Sequence, residues 1–268
     1  MEYGPVKQRL SEIFNSTPLH RVLLNLLDLL FLRQWYVKRY LFDWISKNEQ
    51  RSTHILDAGC GFGQTGFFLC GKSKLWNILA LDKNPNLVSD CNKFFIESKL
   101  SNIVAKCIPL EELKFKDNFD LVLCIDTLEE IEEDQEVLVK FHEALKIDGK
   151  LLLLVPSNKS GFIIKPRSRK LLDSYYVRDG YSKQEIEQKL KNAGFERIKI
   201  RYAYGLAGQI AFKLGLKWPI RLLNFGILFY LILPFYFIIF LPVVVLLNFV
   251  DVVTPHFSGV GLIVKAEK

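Results

Sequence analysis

The chain has 268 residues, half of them hydrophobic and 13% aromatic, with a formal net charge of +7. That length suits one large α/β domain with additions, or two small domains. The five cysteines (60, 70, 91, 107 and 124) show no C-x-x-C and no histidine at ligand spacing, so reduced, packed thiols are expected in preference to a metal site or a disulfide framework. The charge is uneven: Ser157 to Arg221 holds fifteen Lys and Arg against five Asp and Glu, so the remainder is net acidic. A basic excess beside an apolar run implies an anionic partner, lipid headgroups or a phosphorylated substrate. Nucleic acid is not expected, because the apolar run would serve no purpose there.

In chain order, residues 1–50 read as helical. No signal peptide is expected, since "MEYGPVKQRLSEIF" is charged where an apolar h-region would begin. Thr17 and Pro18 suit an N-cap and first turn. Apolar residues then recur at three-to-four spacing through "LHRVLLNLLDLLFLRQWYVKRYLFDWISKN", with Asp28, Arg33, Lys38 and Arg39 interrupting the stripe. From position 53 the pattern changes. "THILDAG", "NILALDKN", "FDLVLCID" and "GKLLLLVPS" are short apolar runs separated by helix-like segments such as "NLVSDCNKFFIESK" and "EEDQEVLVKFHEALK". Such alternation predicts a parallel sheet covered on both faces. A long insert follows Pro156, then a helix "SKQEIEQKLKNAGF", a strand "ERIKIRYAYG" and a last strand "GVGLIVKAEK".

Before that last strand, positions 222–250 contain no Asp, Glu, Lys or Arg. One helical crossing of a bilayer takes about 20 apolar residues. If strands six and seven pair, a single crossing would put them on opposite sides. Pro234 and Pro242 are expected to break the run into pieces 222–233, 235–241 and 243–250, each too short to span. The expectation is a monotopic insert, with kinked or re-entrant helices dipping into one leaflet. Lys213, Lys217, Trp218 and Arg221 would then lie at headgroup level. "GFIIKPRSRK" adds a second apolar wedge followed by cations. The plainer alternative packs the pieces on the N-terminal helices as a dry core.

The chemistry-bearing motif is "LDAGCGFG", a strand-to-helix turn in which Gly59, Gly61 and Gly63 let backbone N–H groups approach a ligand. Asp82 closes the next strand, where a carboxylate suits the two hydroxyls of a ribose. The spacing is G-x-G-x-G, not the G-x-G-x-x-G of nicotinamide binders. With "FDLVLCIDTLEEIEEDQEVLVKFHEALKIDGKLLLLVPSN" the chain resembles class I S-adenosylmethionine-dependent methyltransferases over roughly residues 50–204 and the last strand. The resemblance implies an α/β, Rossmann-like sheet of seven strands, the seventh antiparallel between the fifth and sixth. It gives an N-terminal helical region at 1–50, the methyltransferase domain at 51–204 and 256–268, and a hydrophobic helical insert at 205–255.

By the same resemblance S-adenosylmethionine is the cofactor. Asp57, Gly59, Cys60, Gly61 and Gly63 would hold its methionine part, Asp82 the ribose and Asp126 the amine. Pro109 stands where relatives often carry an acid for the adenine, leaving the Leu110 N–H or apolar packing for that contact. Many relatives have a histidine after Leu-Glu in the loop following strand four; here it is Glu130. Glu129, Glu130 and Tyr204 are the candidates for removing an acceptor's proton, while His142 reads as a packing residue. Glu132, Glu133 and Asp134 read as an acidic first helical turn. Arg178 and Tyr181 read either as acceptor-pocket residues or as a salt bridge and a packed ring.

The function expected is methyl transfer to a lipid-linked or otherwise apolar acceptor, at the cytoplasmic face of an anionic membrane. A soluble small-molecule methyltransferase, a non-catalytic cofactor-binding scaffold and a nicotinamide oxidoreductase are the rival readings.

Overall fold

The computed structural model describes residues 24–26, 28–159, 177–225 and 229–268. Seven strands occupy Thr53–Ala58 (β1), Trp76–Asp82 (β2), Ile103–Cys107 (β3), Phe119–Ile125 (β4), Leu145–Pro156 (β5), Glu196–Ala203 (β6) and Gly261–Glu267 (β7). They form one sheet in the order β3-β2-β1-β4-β5-β7-β6. Strands β1 to β5 pair in parallel, and β7 runs antiparallel to both neighbours, with Ile263 opposite Leu154 of β5 and Arg201 of β6. The expected seven-stranded arrangement is therefore the observed one. After β3 the stretch "KCIPLEEL" contains a short 3-10 turn, Leu110–Glu112.

Helices cover both faces because the central strands carry almost no polar side chains. On one face lie α1 (Leu32–Asn48), α2 (Gln64–Cys70) and α3 (Pro85–Glu97). Tyr36, Val37, Leu41 and Trp44 of α1 pack there with Phe94 and Phe95 of α3 against Ile55, Trp76, Leu121 and Ile263. Each such side chain, fully buried, contributes roughly 1.5–3 kcal/mol. The other face holds α4 (Asp134–Ala144) and α5 (Lys183–Asn192), through Val137, Leu138, Phe141, Ile186 and Leu190. Asn84 caps α3 by accepting from the Asn86 and Leu87 N–H groups, and Ser182 with Glu185 forms a capping box on α5. Residues 24–26 and 28–30 are also helical, and Phe31 is extended between them and α1. Thr17–Pro18 and the "GFIIKPRSRK" wedge lie outside the described residues.

Asp134 stands in the first turn of α4 as expected, and its partners go beyond the helix dipole: it is 2% exposed and held by Arg178, by Lys189 at 2.8 Å and by the Tyr181 hydroxyl at 2.8 Å. Arg178 also donates to the Ile131 and Glu132 carbonyls, so Arg178 and Tyr181 form the salt bridge and packed ring. Cys107 is exposed, whereas Cys70, Cys91 and Cys124 are buried and all five thiols are free.

The largest change concerns the apolar run. Between β6 and β7 the chain forms α6 (Leu206–Phe212), a π turn (Lys213–Lys217), α7 (Trp218–Phe225) and then α8 (Phe229–Val253). Helix α8 is a single 25-residue element with Pro234 and Pro242 inside it. At about 1.5 Å per residue it is roughly 37 Å long. Each proline removes one backbone bond, yet the flanking turns keep theirs, as apolar helices tolerate. Both prolines lie on the exposed side, and the helix runs through them without a break. Among the described residues the dry-core alternative holds for one narrow face: Val244, Asn248 and Asp251 are buried, while the span Leu231–Val253 is 11% buried.

Replacing Asp134 with Ala leaves two half-buried cations and the buried Tyr181 hydroxyl without their carboxylate and is expected to lower the unfolding free energy by about 3 kcal/mol in urea titrations. A loss under about 1 kcal/mol would show the cluster to be an ordinary screened surface pair.

Candidate active site

Strand β1 has β2 on one side and β4 on the other, so the crossovers leave in opposite directions and open a crevice at the strands' C-terminal edge. The glycine turn sits there. The Gly59 and Cys60 N–H groups both donate to the Leu81 carbonyl at 2.8 Å, and the Gly61 N–H donates to Asp82 Oδ2 at 2.9 Å. Asp82 Oδ1 accepts from the Asn84 N–H at 2.9 Å, leaving lone pairs on both oxygens for a ligand. Gly59, Gly61 and Gly63 have φ of +81°, +53° and +72°, a region closed to most side chains. They differ in what lies ahead of them. A Cβ on Gly59 would strike Thr127 and one on Gly63 would come within 2.9 Å of Phe95, but nothing lies within 4 Å of one on Gly61.

Asp57 is 2% exposed, and one of its oxygens accepts from the Gly66 N–H at 3.1 Å. Burial pushes its carboxyl up to about 7, with the Gly66 bond pulling down and Asp82 pushing further up. Asp126 follows β4 with φ +51°, its N–H tied to the Leu154 carbonyl at 2.8 Å. Its carboxylate faces Arg33 of α1 at 3.8 Å. Arg33 donates to Gln64 Oε1 at 3.3 Å, Gln64 to Asp28 at 2.5 Å and Lys38 to Asp28 at 2.6 Å. Three of the four charges that interrupt the apolar stripe of the N-terminal helix, Asp28, Arg33 and Lys38, thus join with Gln64 into one chain that ends at Asp126.

Strand β6 runs parallel to β1 and β4, so its C-terminal end reaches the same edge. Tyr204, just beyond it, has φ +60°, donates its N–H to the Tyr36 hydroxyl at 3.4 Å and packs edge-on against the Tyr36 ring at 5.5 Å. Burial, then the Asp126 charge, raises the Tyr204 phenol well above its ordinary range. It is therefore an O–H donor at neutral pH. Glu129 is 2% exposed in the 3-10 turn Leu128–Glu130, and its charge is felt by Cys124, Tyr181 and Tyr204. Glu130 instead turns toward β2 and pairs with Lys83 at 3.2 Å. Leu110 is buried after β3, at the start of its 3-10 turn. His142 packs edge-on against Phe195 at 5.2 Å, away from this edge.

Reading the chain residue by residue misses Arg33, Tyr36 and Thr127, which come from outside the motif. It also misses a buried joint. Asp251 is fully buried at the end of α8, and its carboxylate accepts from the Tyr36 hydroxyl at 2.8 Å and the Gly208 N–H at 2.8 Å. His256 Nε2 lies 3.1 Å from the Tyr36 hydroxyl. The signal was present: Asp251 is the first charge after the 29-residue run at 222–250.

Residues 49–197 match the family model described as a methyltransferase domain. The chain belongs to the methyltransferase-domain family. S-adenosylmethionine is the cofactor of this domain, and the open space before Gly61, whose N–H is held by Asp82, leaves room for a ligand at the turn. Among curated relatives, phosphoethanolamine N-methyltransferase 3 of Arabidopsis thaliana is 26% identical over 151 residues, covering 54% of this chain and 29% of the relative. A malonyl-acyl-carrier-protein O-methyltransferase of Acetivibrio thermocellus is 28% identical over 111 residues, covering 41% and 38%. The chain thus spans less than two fifths of the length of these relatives. A SAM-dependent methyltransferase of Aquifex aeolicus has the same fold, with TM-score 0.52, 17% identity and coverage of 67% of this chain and 87% of that one. So does the cyclase SpnF, with TM-score 0.56, 16% identity and coverage of 85% and 80%, and its different chemistry shows that the fold alone does not fix the reaction.

The Asp57 carboxyl binds its proton more tightly in the folded chain than at its ordinary 3.8, so the folded form holds the extra proton up to about pH 7. Its contribution to stability is fully present at the acid end and is lost as pH rises through that window. Asp57→Asn keeps an acceptor for the Gly66 N–H and is expected to flatten this decline in urea midpoints measured across the window.

Proposed function

We propose that the chain transfers a methyl group from S-adenosylmethionine to an apolar, lipid-linked acceptor presented at the cytoplasmic face of a membrane. The observation that carries this reading is that the apolar hairpin springs from the sheet edge that bears the crevice. Helix α6 begins beside Tyr204, and α8 returns at Asp251, bonded through Tyr36 to the Tyr204 backbone. An acceptor drawn from lipid would meet the crevice without crossing water. The relatives named above act on an amine and on a carboxylate by their names, and both kinds of acceptor atom are compatible with this site.

In this reading Asp57 and the Gly59–Cys60–Gly61–Phe62–Gly63 turn hold the methionine part of the cofactor. Asp82 takes the ribose hydroxyls, the Leu110 N–H the adenine edge and Asp126 the ammonium group. Arg33, opposite Asp126, is placed for the carboxylate. When bound, the cofactor supplies a methyl group already activated by a positive sulfonium. The protein's work is then alignment of the acceptor with the methyl carbon. The Tyr204 hydroxyl, kept protonated, orients the acceptor by donating to it. Glu129 receives the proton that the acceptor gives up, while the Lys83 ion pair keeps Glu130 at the rim.

Purified full-length chain is expected to bind S-adenosylhomocysteine in calorimetry and to pass labelled methyl to a lipid extract. Absence of binding would overturn the reading. A side chain at Gly61 fits the apo fold at a backbone cost of about 1–2 kcal/mol, and it fills the space kept for the ligand. Gly61→Val is therefore expected to remain folded by circular dichroism and to bind the product at least about tenfold more weakly. Glu129→Gln is expected to keep cofactor affinity and to lose on the order of a hundredfold in kcat. An unchanged kcat would remove Glu129 from the mechanism.

A further inference from the structure

Helix α8 is apolar along its whole outer side. Leu231, Phe235, Ile238, Leu246 and Phe249 are 70%, 69%, 71%, 61% and 55% exposed. The Leu231–Val253 window has mean hydropathy 2.5 and is 11% buried. A contiguous stripe of this length far exceeds what a soluble surface usually leaves open. Beside it runs the α6–α7 arm. Between Leu206 and Val250 the chain has three cations, Lys213, Lys217 and Arg221, and no acid. Trp218, between them, is 46% exposed.

We infer that this hairpin lies along an anionic bilayer, with the outer stripe of α8 sunk in one leaflet and the three cations on lipid phosphates. This deepens the proposed function and rests on it, naming the surface that brings the acceptor. Two observations select this occupant. The cation-bearing segment packs alongside the middle of α8: Gly215 faces Val244, and the Leu214 carbonyl accepts from the Tyr236 hydroxyl at 2.8 Å. An upright, spanning α8 would carry those cations into hydrocarbon, whereas a helix lying flat leaves all three at the interface. A second copy docked on the same face would bring its own three cations and no acid to answer them. An anionic leaflet answers both the apolar stripe and the charge.

The test uses the full chain and vesicles of neutral phosphatidylcholine, with or without about a third of anionic phosphatidylglycerol. Co-flotation is expected to be stronger on the anionic vesicles, by about fivefold per cation and on the order of a hundredfold for three. The triple variant Lys213→Gln, Lys217→Gln, Arg221→Gln is expected to lose that preference. Phe235→Glu with Ile238→Glu is expected to abolish flotation on both. Each variant should retain its affinity for S-adenosylhomocysteine in calorimetry, which shows that the fold and the cofactor site survive. Loss of cofactor binding by the unaltered chain would overturn the enzyme reading without touching the docking result.

Orientation is read from Phe235→Trp and Phe249→Trp, with lipids brominated at stepped depths. Equal, shallow quenching of both supports a flat hairpin. Deep quenching of one and shallow quenching of the other overturns it in favour of a spanning helix. Flotation that does not depend on anionic lipid overturns the charge assignment. A lipid-free dimer that fails to bind vesicles overturns the bilayer as occupant in favour of a second copy.

Discussion

The carboxylate of Asp251 joins the parts of this molecule that would otherwise be independent. It is fully buried, where an unpartnered charge would be strongly destabilising, and it is satisfied by groups from separate segments. Tyr36 comes from the N-terminal helix, Gly208 from the outgoing arm of the hairpin and His256 from the chain leading into the last strand. Gly208 matters here because any Cβ would come within 2.7 Å of the Asp251 carboxylate and force the arm away. With both arms fixed at their base, the last strand enters between β5 and β6, which completes the sheet.

That joint also reaches the crevice. The Tyr36 hydroxyl that donates to Asp251 accepts the N–H of Tyr204, a residue held at positive φ where β6 ends. A non-glycine residue in that conformation persists when its surroundings fix it. The ring contact with Tyr36 and the backbone bond supply that fixing. The crevice itself collects acids: Asp57, Asp82, Asp126 and Glu129 converge on one edge of the sheet, balanced by Arg33 from outside it. Such a site favours a ligand with positive charge, and burial raises the Asp57 carboxyl to about 7.

The hairpin and the sheet answer to different solvents. The sheet is dry on both faces because helices cover it, and its strands need no polar alternation. Helix α8 has a thin inner face against the arm and the N-terminal helix, while its broad outer face has no cover among the described residues. The same chain thus builds one element for burial in protein and another whose apolar side is unmatched by protein. Among the described residues the two meet where Tyr36 bonds Asp251 and where Asn248 donates to the Leu29 and Leu30 carbonyls.

Much of the fold was legible in the sequence, because strand and helix periods and a glycine turn are local properties. The runs at 53–58, 77–82, 119–125 and 149–156, the turn at Gly59–Gly63 and the acids at 57, 82 and 126 could be read in place, whereas the start of β5 at Leu145 reads as the end of a helix. What required the tertiary structure were relations between distant residues. Asp134 reads as a helix-start acid until Arg178, Tyr181 and Lys189 are seen to surround it. Arg33 reads as a surface charge until α1 brings it to Asp126. Two prolines read as breaks, since local sterics argue for breaks. The continuous helix was decided by tertiary placement, which set both rings on its outer side and left the inner turns bonded. The sequence determined that an apolar segment must leave the sheet and return to it; only the packing of Gly208, Asp251 and Tyr36 decided how it returns. Local order follows from neighbours along the chain, whereas the satisfaction of a buried charge depends on a hydroxyl more than two hundred residues away.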